Sequence, residues 1–276
     1  MNETISYIGL LSDEEIELDS AALALSELDH DGVDLEPYLD RLRAISEAVE
    51  AAKVRAGDDD LRSGMAQGAL LAAVIGRDWG FTGDQATYDA PLNADMIRVL
   101  DRKRGLPVSL SILYVAAARR VGWAAHPLDT PGHVLVRVGK GAESALIDPF
   151  NGGAPVEPAQ LDALIARALG PEALGDRKQV APMSNRMTLV RLLLNQASRA
   201  EQAGDTSRAC VIYERMTMVA PEHGPGWWQL ARLQLMHRNI DAARASLTAM
   251  LEITRDPERR GQISKMLTSI AGKISY

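Results

Sequence analysis

The sequence predicts an α+β protein in two parts: a helical region leading into a small antiparallel sheet, followed by an all-helical array. Three observations carry this. Pro107 to Val121 is almost wholly apolar, opened by a proline and stopped by Gly122, and so reads as a helix buried on most sides. Strand-like runs follow at Ala124 to Leu128, His133 to Val138 and Ser144 to Ile147. From Arg186 the chain turns uniformly helical, with an internal repeat of 34 residues.

Taken in order, Ser12 and Glu15 have capping-box spacing, which predicts a helix from Asp13 to about Leu28. Asp29 to Asp34 then reads as a turn, because a calcium loop would need Gly at its sixth position, where Asp34 stands, and Glu at its twelfth, where Asp40 stands. Pro37 suits the first turn of a second helix, and Leu39, Leu42, Ile45 and Val49 keep a helical rhythm to about Ala56. Asp58 to Asp60 are expected to cap a third helix running through Ile75, and Asn93 a short one reaching Arg104. The last two strands should form a hairpin across Gly139 to Ala142.

In the repeat, Leu194 recurs as Trp228, Ala197 as Ala231, Ala209 as Ala243, Tyr213 as Leu247 and Met216 as Met250, with Gly204-Asp205 and Arg238-Asn239 at the internal turns. This pattern resembles the tetratricopeptide repeat, two helices per unit. Two units are fewer than a solenoid needs, so Gln262 to Ile274 is expected to cap the array. The domain boundary is placed between residues 180 and 181, giving domains 1–180 and 181–276.

Composition narrows the function classes. The 276 residues are 46% apolar and 24% charged, an ordinary globular balance with ample material for a core. The single cysteine, Cys210, excludes an internal disulfide framework and multi-cysteine metal sites, and points to a cytoplasmic protein. No apolar run approaches the roughly 18 residues needed to span a bilayer, so no membrane association is expected. Residues 1–95 hold 21 acids against 6 bases, whereas the remainder is basic. No basic stripe interleaved with aromatics accompanies that charge, so nucleic acid is not an expected partner. His126 alternates with apolar residues and reads as a core or sheet-face histidine of a strand, while His30, His223 and His237 have no ligand spacing among themselves, so no metal or cofactor is expected.

The predicted hairpin carries the main chemical inference. A turn centred between Lys140 and Gly141 sets His133 opposite Asp148 on one sheet face, close enough for the carboxylate to orient the imidazole. Such a pair serves catalysis when a nucleophile faces it and is a structural clasp otherwise. Three further groups attract attention. Arg102, Lys103 and Arg104 could receive an acidic ligand or simply be solvated. Of Trp227 and Trp228, one should anchor the repeat and the other could be an exposed contact. The region from Met183 carries 13 bases and 8 acids, which favours an acidic peptide partner or an internal acidic face.

Four ordered motifs resemble the bacterial SirB-type family: Arg104 to Ser111, Arg119-Arg120-Val121-Gly122, Pro131-Gly132-His133 and Asp148-Pro149-Phe150-Asn151-Gly152-Gly153. The resemblance covers nearly the whole chain and implies a transglutaminase-like, papain-like core joined to tetratricopeptide-repeat helices. Active transglutaminase-like enzymes use a Cys, His and Asp triad, so the resemblance gives His133 and Asp148 the second and third roles. It puts Pro107 at the position of the cysteine, which leaves the first role vacant. Ser109 lies about 200° round the helix from Pro107, and Ser111 returns to the same face about 6 Å deeper. The expectation is therefore a non-catalytic interaction or regulatory protein. The opposing expectation is a serine-based amidase, esterase or acyltransferase that uses Ser111, or else Ser109, with His133 and Asp148. A third is a vestigial cleft that binds a small molecule or peptide without chemistry.

Overall fold

The computed structural model describes residues 2–170 and 181–271, and its contacts divide the chain into two compact units. One comprises residues 11–192, and the other residues 2–10 together with Leu193 onward. The division thus falls twelve residues later than the sequence places it, because the helix Asn185–Gln202 (α8) begins in the first unit and ends in the second. Residues 171–180, on which the expected boundary borders, lie outside the described residues.

In the first unit the helix Pro107–Arg120 (α6) is central: every residue from Pro107 to Ala118 is buried. Proline suits its first position because that amide would lack an intrahelical partner in any case. The helices Leu18–Glu27 (α2) and Glu36–Ala56 (α3) pack against α6, as do the strands Ala125–Thr130 (β3) and His133–Val138 (β4). Two more strands, Ala145–Asp148 (β5) and Ala154–Pro155 (β6), complete an antiparallel sheet in the order β3-β4-β5-β6. The helix Pro158–Leu169 (α7) packs on this sheet, setting Ile165 against Leu128 and Leu135. A two-residue parallel pair, Thr82–Gly83 (β1) with Arg104–Gly105 (β2), was not expected from the sequence.

Several local expectations are corrected. Asp13–Glu15 forms only a single 3₁₀ turn, and the helix starts at Leu18. The Asp13 carboxylate is drawn away to accept the Asn185 and Arg186 amides, 2.9 and 2.8 Å off, at the start of α8. Asp58 to Asp60 likewise close a short 3₁₀ turn, and Ser63 caps the next helix, Gly64–Leu71 (α4), accepting from the Ala66 amide. That helix passes into a π-helical turn, Ala72–Asp78. Asn93 is buried and spends its amide on the Thr87 carbonyl and on Arg102, so Asp95 caps the helix Met96–Arg102 (α5).

The second unit contains the rest of α8 and the helices Thr206–Val219 (α9), Gly224–Met236 (α10), Ile240–Ile253 (α11) and Pro257–Ala271 (α12), with the unforeseen helix Asn2–Leu10 (α1) against α9. The 34-residue register is physical. Ala197 and Ala231 are both buried, as are Ala209 with Ala243 and Met216 with Met250. Gly204 and Arg238 both turn left-handed, at φ 76° and 60°. The next residues, Asp205 and Asn239, both cap helices by accepting the amide three positions on. The last helix begins at Pro257, earlier than the expected Gln262, and its expected end at Ile274 lies outside the described residues.

Candidate functional site

The site is built where the start of α6 meets β4 and the end of β5. Pro107 occupies the first helical position and is buried, so no side-chain donor or nucleophile stands there. Ser109 is fixed by the loop before it: its hydroxyl donates to the Asn93 carbonyl at 2.8 Å and accepts the Leu106 amide at 2.9 Å. Ser111 donates to the Pro107 carbonyl at 2.7 Å, one turn back. Its oxygen lies 3.4 Å from the carbonyl of Val134, the residue after His133, which places this turn of α6 beside the His133 end of β4. Both serines are fully buried, and neither is hydrogen-bonded to His133. A helical hydroxyl so bonded satisfies itself on the backbone and has no base at its proton.

His133 and Asp148 do meet, with His133 Nε2 2.9 Å from Asp148 Oδ1, but not through the register expected. Val136 faces Ile147 and Val138 faces Ala145, a shift of two residues that a longer turn, Gly139 to Ser144, imposes. Asp148 therefore lies opposite Leu135, with His133 its diagonal neighbour. A shift of two keeps the same face because side chains alternate with period two, and the diagonal distance is within reach of a long side chain.

Asp148 is held from three sides. Oδ1 also accepts the Phe150 amide at 3.0 Å, and Oδ2 accepts Asn151 Nδ2 at 2.7 Å. An ionised carboxylate only accepts, so the hydrogen of this contact belongs to His133 Nε2. The Phe150 ring stands edge-on to His133 at 5.9 Å between centroids, and fits only because Gly83 has no Cβ, which would lie 2.4 Å from that ring. The arrangement is an oriented, nearly buried base. Among the described residues, no hydroxyl or thiol is hydrogen-bonded to it.

Sequence reasoning overlooked Tyr114, two turns along α6 from Pro107. It is completely buried, its hydroxyl has no hydrogen-bond partner among the described residues, and burial together with the nearby Asp148 charge raises its pKa far above the usual tyrosine value. A Cβ on Gly153 would come within 2.9 Å of its ring, so the Gly152-Gly153 pair after Asp148 is the signal that could have located it.

The remaining candidates fall elsewhere. Arg102 donates to Asp84 at 2.6 Å and to Asn93 at 2.9 Å, and Arg104 to the Gly80 carbonyl at 2.9 Å, so both are tied inside the fold, whereas Lys103 is exposed. Trp227 is the partly buried indole, donating to the Pro221 carbonyl and packing on the cluster that contains Ala231, Leu247 and Met250. Trp228, the residue in register with Leu194, is 36% exposed. Cys210 is half-buried, and desolvation raises its thiol pKa.

A model of the transglutaminase-like superfamily matches residues 36–194, more than half of the chain. The chain belongs to that superfamily. The matched span contains α6, β4 and β5 of this transglutaminase-like core, and so includes Pro107, His133 and Asp148 together. A UPF0162 protein of Xylella fastidiosa (strain 9a5c) is 28% identical over 251 residues, 89% of this chain and 87% of that protein. Human F-box only protein 21 is 41% identical over a shorter stretch of 71 residues, 26% of this chain and 11% of that protein. A crystal structure of menin aligns with 95% of this chain and 73% of its own at 14% identity and a TM-score of 0.40, a likeness too low to bear on function.

Proposed function

We propose that this chain is a non-catalytic interaction or regulatory protein: a transglutaminase-like domain without a nucleophile, joined in SirB-type fashion to tetratricopeptide-like helices that hold a peptide or protein partner in the cytoplasm. The observation that carries the reading is Pro107 at the buried start of α6, with both nearby serine hydroxyls committed to backbone carbonyls. The serine-based alternative finds no support in that geometry, because Ser111 has no hydrogen bond to His133.

The partner-binding half of the proposal draws on a cavity of about 560 Å³ in the second unit, walled by Trp227 and Leu230 of α10 and by the small residues Ala242, Ala245 and Ala249 of α11. The excess of bases after Met183 favours an acidic peptide along the helical array, with the charge contacts outside the cavity, whose lining carries Glu214 and no base. Two measurements test the proposal. Purified protein should show no amide transfer or hydrolysis above a His133→Ala control; activity lost in that control would overturn the non-catalytic reading. Peptides selected against the full chain should be acidic, and Ala245→Glu should weaken them about tenfold without lowering stability. Selected peptides indifferent to Ala245→Glu would remove the helical cavity from the account.

A further inference from the structure

Asp148 forms part of the wall of a cavity of about 460 Å³ between α7 and the β5–β6 end of the sheet, within the first unit. This volume is in the range of small-molecule sites, which combine an apolar lining with a few convergent polar groups. Here Pro155, Val156 and Leu164 supply apolar wall. Gln160 and Arg167 reach it from α7, seven residues apart and therefore on one helical face.

The polar groups leave a definite set of unused valences. Gln160 Oε1 accepts the Glu157 amide at 2.8 Å, which frees its amide hydrogens to donate. Asn151 Nδ2 donates to Asp148, which leaves Asn151 Oδ1 to accept. Arg167 forms no ion pair or hydrogen bond with any described residue. The Asp148 carboxylate, also in the lining, already accepts from His133, the Phe150 amide and Asn151. Among the described residues, one guanidinium without an ion pair, one amide donor and one carbonyl acceptor, all solvent-exposed, thus share the lining of a cavity with apolar wall.

We propose that this cavity binds an N-acylated amino acid through its free carboxylate, the chemistry shared by a peptide C-terminus and a free N-acyl amino acid. Arg167 and Gln160 donate to the carboxylate, the planar guanidinium being suited to two-point recognition of it. Asn151 accepts from the ligand's amide N–H, and the side chain rests on Pro155, Val156 and Leu164. The site lies in the transglutaminase-like core and does not depend on the helical cavity or on the absence of a nucleophile.

The test is a titration of the full chain, followed by amide chemical shifts or calorimetry, with N-acetyl-L-leucine, with its neutral counterpart N-acetyl-L-leucinamide, and with acetyl-Gly-Gly-Leu. The two carboxylates should bind saturably, with the neutral compound at least about tenfold weaker. Tighter binding of the tripeptide assigns the site to peptide C-termini, and equal binding to free N-acyl amino acids. Arg167→Gln should weaken the carboxylates by about tenfold or more. Gln160→Glu, which keeps an acceptor for the Glu157 amide, should weaken them as well, and Lys140→Gln on the hairpin turn should not. Equal affinity for N-acetyl-L-leucine and its amide, indifference to both cavity variants, or no saturable binding of any probe would overturn the proposal.

Discussion

Each of the two compact units is held together internally by different means. In the unit of residues 11–192, buried polar groups tie segments far apart in sequence: Asp19 takes Arg120 in a two-point pair across 101 positions, Asp13 accepts two amides of α8, and Arg102 bridges Asp84 and Asn93. In the other unit the same few devices recur every 34 residues, with alanines where helices approach closely and an Asp or Asn cap after each left-handed turn. The first relies on unique, mutually dependent contacts, and the second on recurring ones supplemented by a few of its own, such as Ser246 donating to Gln234 and Tyr213 to Glu201. Loss of a buried polar group in the first strands its partner, whereas loss of a recurring device in the second has a local cost that its repeat-mate should match.

The largest expected effect follows from Asp19→Ala. Asp19 is 1% exposed, and its removal leaves the Arg120 guanidinium without its main acceptor. A loss of about 3 kcal/mol is expected, the low end for a broken buried pair because Arg120 remains partly solvated. Urea unfolding measures it, and a loss under about 1 kcal/mol would erase the proposed contrast between the units.

Asp84→Asn should cost about 2 kcal/mol at neutral pH, through the hydrogen bonds of a charged group. The side-chain and backbone donors of Thr87, and then Arg102, hold the Asp84 carboxyl well below the usual carboxylate range. Its stabilising contribution is therefore complete above the unfolded value near pH 4 and lost as pH falls through the lower folded value. Wild type should consequently lose stability more steeply in acid than Asp84→Asn, so that their unfolding free energies converge. Parallel pH profiles would count against this role for Asp84.

In the repeat unit, Gly9→Ala should cost about 1–2 kcal/mol, because the added Cβ would lie 2.1 Å from the Met218 carbonyl oxygen where α1 meets α9. Hydrogen exchange should show the loss in α1 and α9; unchanged protection there would mean that the helix does not depend on that close approach. The smallest effects sharpen the comparison most. Asp205→Ala and Asn239→Ala should each cost about 1 kcal/mol and agree within a few tenths. A large difference between them would show that the two turns are not equivalent.

The same contrast explains what could be read from the sequence. Much of the repeat was legible, since Ala197, Ala209 and Met216 announce their buried counterparts by spacing alone, but the register pointed to Trp228 as the mate of Leu194 where Trp227 packs instead. In the core, α6 was legible because Pro107 and Gly122 mark its ends and little between them is polar. The His133–Asp148 meeting survived a misjudged turn because an error of two preserves the face, whereas an error of one would have separated them. The cap at Asp95 was missed because Asn93 is an equally good cap locally, and only its distant partners, Thr87 and Arg102, decide against it. The π-helical turn after Leu71 has no signature distinct from a continuing apolar helix. Helix α1 offers a short run whose buried face, Ile5 and Ile8, acquires meaning only from α9.

The central claim is that the oriented His133–Asp148 pair faces no nucleophile, and covalent labelling tests it most directly. Wild-type protein would be exposed to a serine-directed fluorophosphonate and a cysteine-directed iodoacetamide, and the modified residues located by peptide mass spectrometry. The account predicts no His133-dependent adduct, with Ser109 and Ser111 unmodified and any slow Cys210 alkylation unchanged by His133→Ala. An adduct on Ser111 that disappears in His133→Ala would contradict it and establish a working nucleophile in this core.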